Sequence, residues 1–377
     1  MTGQPQVIWD EAISFPSTVQ TAQPAHWVSV GERVERTAST ARGRQYEWDQ
    51  VQTGTYSPTL GNNDGVFNPV NTSSPYYPNV LPRRPYRKRF QYPPTQNILT
   101  IDQATGGSTQ AAGQQVATAV PVWFSWAVAW NIVAEADAFI GPNVFQQVLS
   151  PAQTAPFAAF DMDGWSAKAN TWHSAQVWMR ATAGGTSPQV RLAIVWRNSS
   201  GSTLSTATGS TVTLTANSRT WQQITISALA PAGVCGGTLQ AQMVNSVAVT
   251  WEASGFQIEY AAAPTTWTQP GAWYYLINGW TDRWPMVKDK NGTYSLSQPK
   301  VVDTFARFAN IYPEPPFYAD VLALSPAFFF PLDDPSTATS CRELTGTYNP
   351  APVVNSAQGA GSLKLGQGIQ SSTTAGG

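Results

Sequence analysis

Two histidines, His26 and His173, occur in 377 residues, and neither has a cysteine or carboxylate at the spacing of a zinc ligand set or a proton relay. No glycine-rich phosphate loop is present. Asp161 and Asp163 flank Met162 just before Gly164, but they offer two carboxylates where calcium takes roughly six to eight oxygens. A plain turn accounts for them. A glycoside hydrolase needs only two carboxyl groups, and their separation in sequence is unconstrained. Glu252, Glu259 and Asp282 are therefore the residues open to that chemistry, although so sparse an acidic complement speaks against it. The chain is read as a non-enzyme without catalytic residues, metal or cofactor.

The residue types that do form a pattern are aromatic, amide and guanidinium. Gln176, Trp178 and Arg180 alternate with Ala175, Val177 and Met179; Gln223 alternates with Ile224 and Ile226; Gln240 and Gln242 alternate with Leu239, Ala241 and Met243. A period of two sends the apolar set inward and the polar set to the opposite face of a strand. An aromatic ring covers the apolar face of a pyranose while amides and guanidinium meet its hydroxyls. Trp178, Arg180, Gln176, Gln223, Gln240 and Gln242 are accordingly the candidate carbohydrate-binding residues. The same types suit packing against a neighbouring subunit, and both readings stand.

The elements that position these residues are short strands. Period-2 runs at Ser174–Arg180, Val190–Arg197, Thr211–Leu214, Trp221–Leu229 and Leu239–Val244 are separated by turn residues such as Gly184-Gly185 and Asn198-Ser199-Ser200-Gly201, which predicts a β-sandwich. Trp196 alternates with Leu192 and Ile194 and is expected inside. Trp123, Trp126 and Trp130 fit helix or strand, with core burial the default.

Upstream, strands are predicted at Val7–Trp9, Trp27–Val34, Gln45–Gln52 and Thr55–Leu60. The turn Asn62-Asn63-Asp64-Gly65 follows, then an arm punctuated by Pro69, Pro75, Pro78, Pro82 and Pro85, which discourage both helix and central strand. The arm ends in Arg83, Arg84, Arg87, Lys88 and Arg89. Alternation turns Arg87 and Arg89 one way and Tyr86 and Lys88 the other, as in a strand exposed on one side that bridges subunits. Downstream, Trp273–Trp284 and Tyr294–Val302 read as partner strands around a hairpin turn at Lys290-Asn291-Gly292, and Asp303 can cap a helix from Thr304 to Asn310. The stiff segment Pro313–Pro316 marks a boundary.

Composition bounds the partners. The net charge is −1 and 11% of residues are charged, which argues against a steered nucleic-acid or membrane partner. With 29 Gly, 29 Pro and 16 Trp, short strands and turns are favoured over helices. Cys235 and Cys341 fall in different presumed domains and are read as unpaired. The first fifteen residues do not read as a signal peptide, and no apolar run reaches the ~18 residues of a membrane span.

The series Thr55, Asn62, Asp64, Gly65, Phe67, Pro69, Asn71, Ser74, Pro75, Tyr76, Tyr77, Arg84, Pro85 and Arg87 resembles the N-terminal module of minor tail proteins from tailed phages of actinobacteria. In that family a Gly-aromatic segment ending in Trp-Pro follows soon after the cationic strand. Here it appears at Tyr275–Pro285, followed by Val301–Phe308 in the place of the family's short helix. The displacement implies a domain inserted between about Pro93 and Gly271. Within it, SAQVWMRATAGG, VRLAIVWRNSSG, WQQITISALAPAG and QIEYAAAPTTW are similar to a jelly-roll carbohydrate-binding module. FYADVLALSPAFFFPLDD resembles the opening of a laminin-G-like sandwich, either incomplete here or continued further along the natural chain.

The expected fold is mainly β: a split N-terminal β-sandwich or barrel module with an inserted β jelly-roll and one short helix. The expected domains are 1–93 with 271–312 as a tail-tip ring module, 94–270 as the inserted carbohydrate-binding-like domain, and 313–377 as linker and incomplete laminin-G-like segment. The resemblance implies a virion tail-tip or baseplate protein, assembled in the host cytoplasm. Its copies would form a homo-oligomeric ring, a hexamer favoured over a trimer, that touches other tail-tube and tail-tip proteins and displays the inserted domain toward host cell-wall glycan. Tyr76, Tyr77, Arg84, Arg87, Arg89, Trp280 and Trp284 are the expected assembly contacts. The alternatives are a dedicated receptor-binding module for cell-wall glycan and, behind it, a glycan hydrolase.

Overall fold

The computed structural model describes residues 8–36, 39–43, 52–105, 110–120, 123–125, 128–150, 152, 157–288, 295–304, 306, 316–332, 334 and 339–352. The chain divides into two compact units, Met1–Arg307 and Phe308–Gly377. It is mainly β, and its sheets remain open instead of closing into a barrel.

In the first unit the leading strands are β1 (Ile8–Ile13), β2 (Trp27–Ser29), β3 (Val34–Arg36), β4 (Ala41–Gly43), β5 (Gln52–Tyr56), β6 (Thr59–Gly61) and β7 (Pro85–Tyr92). Two one-turn helices follow, α1 (Ile101–Ala104) and α2 (Val116–Ala119). Next come β8 (Trp123–Ser125), β9 (Trp130–Ala134), β10 (Asn143–Leu149), β11 (Phe157–Met162), β12 (Ser166–Ala167), β13 (Trp172–Ala183) and β14 (Gln189–Arg197). The series continues with β15 (Thr203–Thr208), β16 (Val212–Thr213), β17 (Gln222–Leu229), β18 (Gly236–Met243) and β19 (Val249–Glu259). It closes with β20 (Ala272–Arg283), β21 (Met286–Lys288), β22 (Ser295–Ser297) and β23 (Lys300–Asp303).

One eight-stranded sheet runs β12-β2-β1-β7-β20-β23-β5-β4, so strands from both flanks of residues 93–271 share it. Antiparallel β7 and β20 meet at its centre, with Tyr92 opposite Ala272 and Pro85 opposite Trp280. The expected strand Thr55–Leu60 is split at Ser57-Pro58. Pro58 has no N–H to give to a ladder, and its flanks β5 and β6 enter different sheets. Trp27–Val34 is likewise broken, by a 3-10 turn over Gly31–Arg33. Gln45–Val51, the tip Lys290-Asn291-Gly292 and most of the expected helix Thr304–Asn310 lie outside the described residues. The arms of that hairpin, β21 and β22, pair antiparallel.

Residues between these flanks form a two-sheet sandwich, β17-β13-β19-β10-β9 over β15-β14-β18-β11-β8, with β16 pairing β14. The inward residues are those that alternation selects: Ala175, Val177, Met179, Ile224 and Ile226 from one sheet, Leu192, Ile194, Leu239, Ala241 and Met243 from the other. Trp130, Trp165, Trp196 and Trp251 fill the space between them. A second core under the eight-stranded sheet gathers Phe15, Tyr56, Phe67, Tyr76, Tyr86 and Trp284. There Phe15 stacks on Tyr76 at 4.4 Å and Phe67 on Trp284 at 5.8 Å. The proline-rich arm therefore runs along the surface while Phe67, Tyr76 and Val80 turn inward to complete a core.

The second unit holds α3 (Pro316–Ala323) and a two-stranded ribbon, β24 (Ser340–Cys341) with β25 (Ala351–Pro352). Cys235 and Cys341 are both free and buried.

Candidate functional site

The sandwich face expected to meet sugar is built from β13, β17 and β19, and it is closed. Gln176 and Arg180 are wholly buried, Trp178 is half-buried and Gln223 is exposed. The reason is a cover that period-2 reasoning does not see: the segment Glu135–Ile140 lies over the sheet. Phe139 stacks on Trp178 with ring centroids 4.5 Å apart, and Trp267 meets Phe139 edge-on. Gly255, at φ +66°, leaves the room that Phe139 fills, since a Cβ there would collide with its ring. Trp178 Nε1 is buried with no hydrogen-bond partner among the described residues.

The cover is held by charge. Arg180 donates from Nε to Glu252 Oε2 at 2.6 Å and from Nη2 to Asp137 Oδ1 at 2.9 Å. Its guanidinium lies over Trp221, 4.3 Å from the ring centroid. Gln146 donates to the other Glu252 oxygen at 2.9 Å, and Gln176 accepts from Gln223. Gln240 and Gln242 lie on β18 in the opposite sheet. There Gln240 donates to Asp161 Oδ1 at 2.7 Å and Gln242 accepts from Arg191 at 2.9 Å. The six residues expected to form one sugar face thus sit on two faces that point apart.

Most of the expected assembly contacts are internal as well. Tyr76, Arg84, Arg87, Arg89 and Trp284 are buried within the protomer, whereas Tyr77 is exposed and Trp280 half-buried. Arg84 donates to Ser17 O, Asn79 O and Asn79 Oδ1, tying the arm down. The expected alternation of Arg87 and Arg89 against Tyr86 and Lys88 does hold, but β7 is a central strand and the side chains of all four are buried. Arg87 and Arg89 both donate from Nε to Asp10 Oδ2, at 3.1 and 2.7 Å. On the other face Lys88 Nζ lies 3.3 Å from Glu11 and donates to Tyr56 at 2.7 Å, while Glu11 accepts from the Tyr56 and Tyr86 hydroxyls. Burial and the Glu11 carboxylate push both phenols up. Each face thereby receives acid from β1 opposite base from β7.

Where the Arg87 face meets the sandwich, a cleft of about 250 Å³ opens. Trp27, Arg87, Arg89, Tyr275 and Asn278 come from the eight-stranded sheet, and Thr100, Gln103 and Gly164 from the sandwich side. The Arg87 guanidinium lies 4.2 Å from the Trp27 ring and that of Arg89 4.0 Å from Trp273. Burial would raise the Asp10 carboxyl, but Arg87 and Arg89 beside it hold it down at about 2. Burial and the neighbouring Arg89 bring Arg87 down to about 10, which leaves it charged at neutral pH. Gln23, which also lines the cleft, Trp27 and Gln103 carried no functional signal in sequence, because the cleft joins segments scattered between residues 22 and 278.

The same sheet exposes aromatic rings on its opposite face. Trp9, Phe90 and Tyr274 occupy one rung across β1, β7 and β20. Their centroids lie 5.6 and 5.3 Å apart, and Trp9 and Tyr274 are about half exposed, at 55% and 50%.

The fold also gives His26 a carboxylate that spacing did not suggest: Asp163 Oδ1 lies 3.7 Å from His26 Nδ1. This distance is within ion-pair range but beyond a hydrogen bond, and both atoms lack a hydrogen-bond partner among the described residues. Burial dominates the pair, pushing Asp163 up to about 7 and, with Arg197, bringing His26 down to about 4. Both favour their neutral forms. Glu252 is committed to Arg180, and Glu259 to Thr265 and Gln257. Among the described residues no cluster of His, Cys, Asp and Glu is arranged to hold a metal ion.

No protein-family profile matches this sequence, and neither does any curated protein. Among solved structures, the CBM22-1 xylan-binding domain of Paenibacillus barcinonensis Xyn10C is similar at 11% identity and TM-score 0.33, over 46% of this chain and 100% of that one. A family 16 carbohydrate-binding module-2 is similar at 13% identity and TM-score 0.27, over 39% and 96%. The enzymatically active domain of bacteriophage CBA120 tailspike protein 4 is similar at 11% identity and TM-score 0.32, over 44% of this chain and 22% of that one. Likeness at this level bears no weight on function, which rests on the side chains described above.

Proposed function

We propose that the protein is a non-catalytic structural component of a phage tail tip that assembles into a ring and presents a sandwich domain for attachment to host glycan. The carrying observation is the pairing of β7 with β20. Strands on either side of residues 93–271 share one sheet, to which the intervening residues add only the edge strand β12, and this supports reading the sandwich as a guest in a continuous body. Such an arrangement couples a guest rigidly to its carrier, as attachment under mechanical load requires. The exposed rung of Trp9, Phe90 and Tyr274 supports the assembly half of the reading, since aromatic residues are enriched at subunit contacts. The glycan contact is assigned to the cleft at Arg87, Arg89, Trp27 and Tyr275 and not to the closed face at Trp178. That cleft combines aromatic wall, guanidinium and amide in a concave site.

Imaging of the purified full chain by negative stain, together with co-sedimentation on isolated actinobacterial cell wall, tests both halves. Rings that co-sediment are expected. A monomer that co-sediments favours the second reading, a dedicated receptor-binding module, which the cleft alone is enough to motivate. Rings that ignore cell wall leave a purely structural protein, and release of reducing ends from wall polysaccharide would reopen the hydrolase reading.

A further inference from the structure

The cleft between the eight-stranded sheet and the sandwich holds a charge imbalance. Among the described residues two guanidinium groups, Arg87 and Arg89, face one carboxylate, Asp10, and both reach the same oxygen of it. All three side chains are at most 7% exposed. Arg87 spends Nη2 on Ser166 Oγ at 2.9 Å, and Arg89 turns Nη1 toward Tyr275 Oη at 3.4 Å. Asp163, beside Gly164 in the cleft wall, keeps its carboxyl against Thr238 and His26 instead of either arginine. A buried positive charge in excess is unfavourable unless an anion answers it. Arg87 and Arg89 line this cleft, whereas Asp10 lines a smaller neighbouring cavity that it shares with Arg89.

The rest of the wall specifies what the anion is attached to. Tyr275 offers a 41% exposed ring next to Arg89, and Asn278 on the same face of β20 lies opposite Arg87. An exposed ring beside an amide suits the apolar face and hydroxyls of a pyranose, and about 250 Å³ accommodates a sugar ring.

We propose that this cleft binds a sugar ring bearing an anionic group, a carboxylate or a phosphate, with Arg87 and Arg89 meeting the charge and Tyr275 covering the ring. The proposal rests on the glycan-attachment reading and narrows it to acidic saccharides. Guanidinium forks match both planar carboxylate and phosphate.

Calorimetric titration of the full chain with methyl glucuronide, glucose 6-phosphate and methyl glucoside tests it. At least one of the two acidic sugars is expected to bind roughly tenfold or more tighter than the neutral one, and which of them does so identifies the anion. Binding weakens as salt is raised. Asn278→Asp, at an exposed position, places a carboxylate opposite Arg87 and should abolish acidic-sugar binding while holding or raising the thermal midpoint, since it answers the excess charge; Tyr275→Ala should weaken binding with the charge intact. Equal affinity for neutral and acidic sugars, or wild-type affinity in Asn278→Asp, overturns the proposal. Absence of binding to all three sugars overturns it too. If cell wall is still co-sedimented in that case, the glycan reading survives, and if it is not, both fall.

Discussion

Arg180 donates to Glu252 across directly opposed positions of β13 and β19, at 2.6 Å, with neither side chain reaching solvent. A charge left without its partner in such a place is strongly unfavourable. Arg180→Ala is expected to lower stability by about 3–5 kcal/mol and to release the Glu135–Ile140 cover from Trp178. Arg180→Met with Glu252→Leu, which removes both charges and keeps volume, should recover much of that loss. Urea unfolding of the two variants and the parent reads the difference. A loss below ~1 kcal/mol in Arg180→Ala would mean that the pair does not hold the cover.

The inward half of each strand was legible because a period of two survives any topology, and Ala175, Val177 and Met179 lie where alternation sends them. What covers the outward half was not. Gln176 and Arg180 look like surface until Glu135–Ile140 and Thr265 are folded over them, and that is tertiary information. In the same way Arg87 and Lys88 alternate as read, but the acids that neutralise them come from Asp10 and Glu11, some seventy-seven residues upstream. The register slip opposite Gln176 and Trp178, near the positive-φ Gly255, also moves the inward set of β19 from Trp251 and Ala253 to Phe256 and Ile258. A strict period misses that step.

The buried Asp163 and His26 give stability a pH signature. With its carboxyl raised to about 7 from an ordinary 3.8, Asp163 contributes stability that is fully present below the unfolded value and lost as pH rises through 7. Asp163→Asn should therefore be more stable than the parent at pH 8, by about 2–4 kcal/mol, with the gap closing below pH 4. His26, brought down to about 4 from 6.5, has the opposite sign and withdraws stability as pH falls from 6.5 to 4. His26→Gln should flatten that acid limb. Thermal midpoints measured from pH 3 to 8 separate the two, and an Asp163→Asn curve parallel to the parent would remove burial as the cause.

Asp10 behaves in the reverse way to Asp163. Held at about 2 against an ordinary 3.8, it contributes stability present above the unfolded value and lost as pH falls through 2, worth about 2 kcal/mol. Asp10→Asn is expected to be less stable than the parent at neutral pH, since two arginines lose their counter-charge. The deficit should shrink as the medium is acidified below 4. Denaturant midpoints between pH 2 and 7 check the sign, and a deficit that grows with acid would contradict it.

Trp9, Phe90 and Tyr274 form a rung with two half-exposed rings on a sheet whose reverse side is occupied. Replacing these rings separates assembly from stability when both are measured. Trp9→Ser with Tyr274→Ser is expected to lower stability by about 2–4 kcal/mol, because each ring buries roughly half its surface against Phe90 and its neighbours, and to leave a folded protomer. If copies join through this rung, mass photometry of the double variant shows protomers where the parent shows rings. Rings that persist with unchanged dissociation would move the joint away from the rung, to strand edges such as β4. The discriminating control is Tyr77→Ser: its ring is 43% exposed and lies on the arm, so a loss of rings confined to that variant would return the joint to the arm.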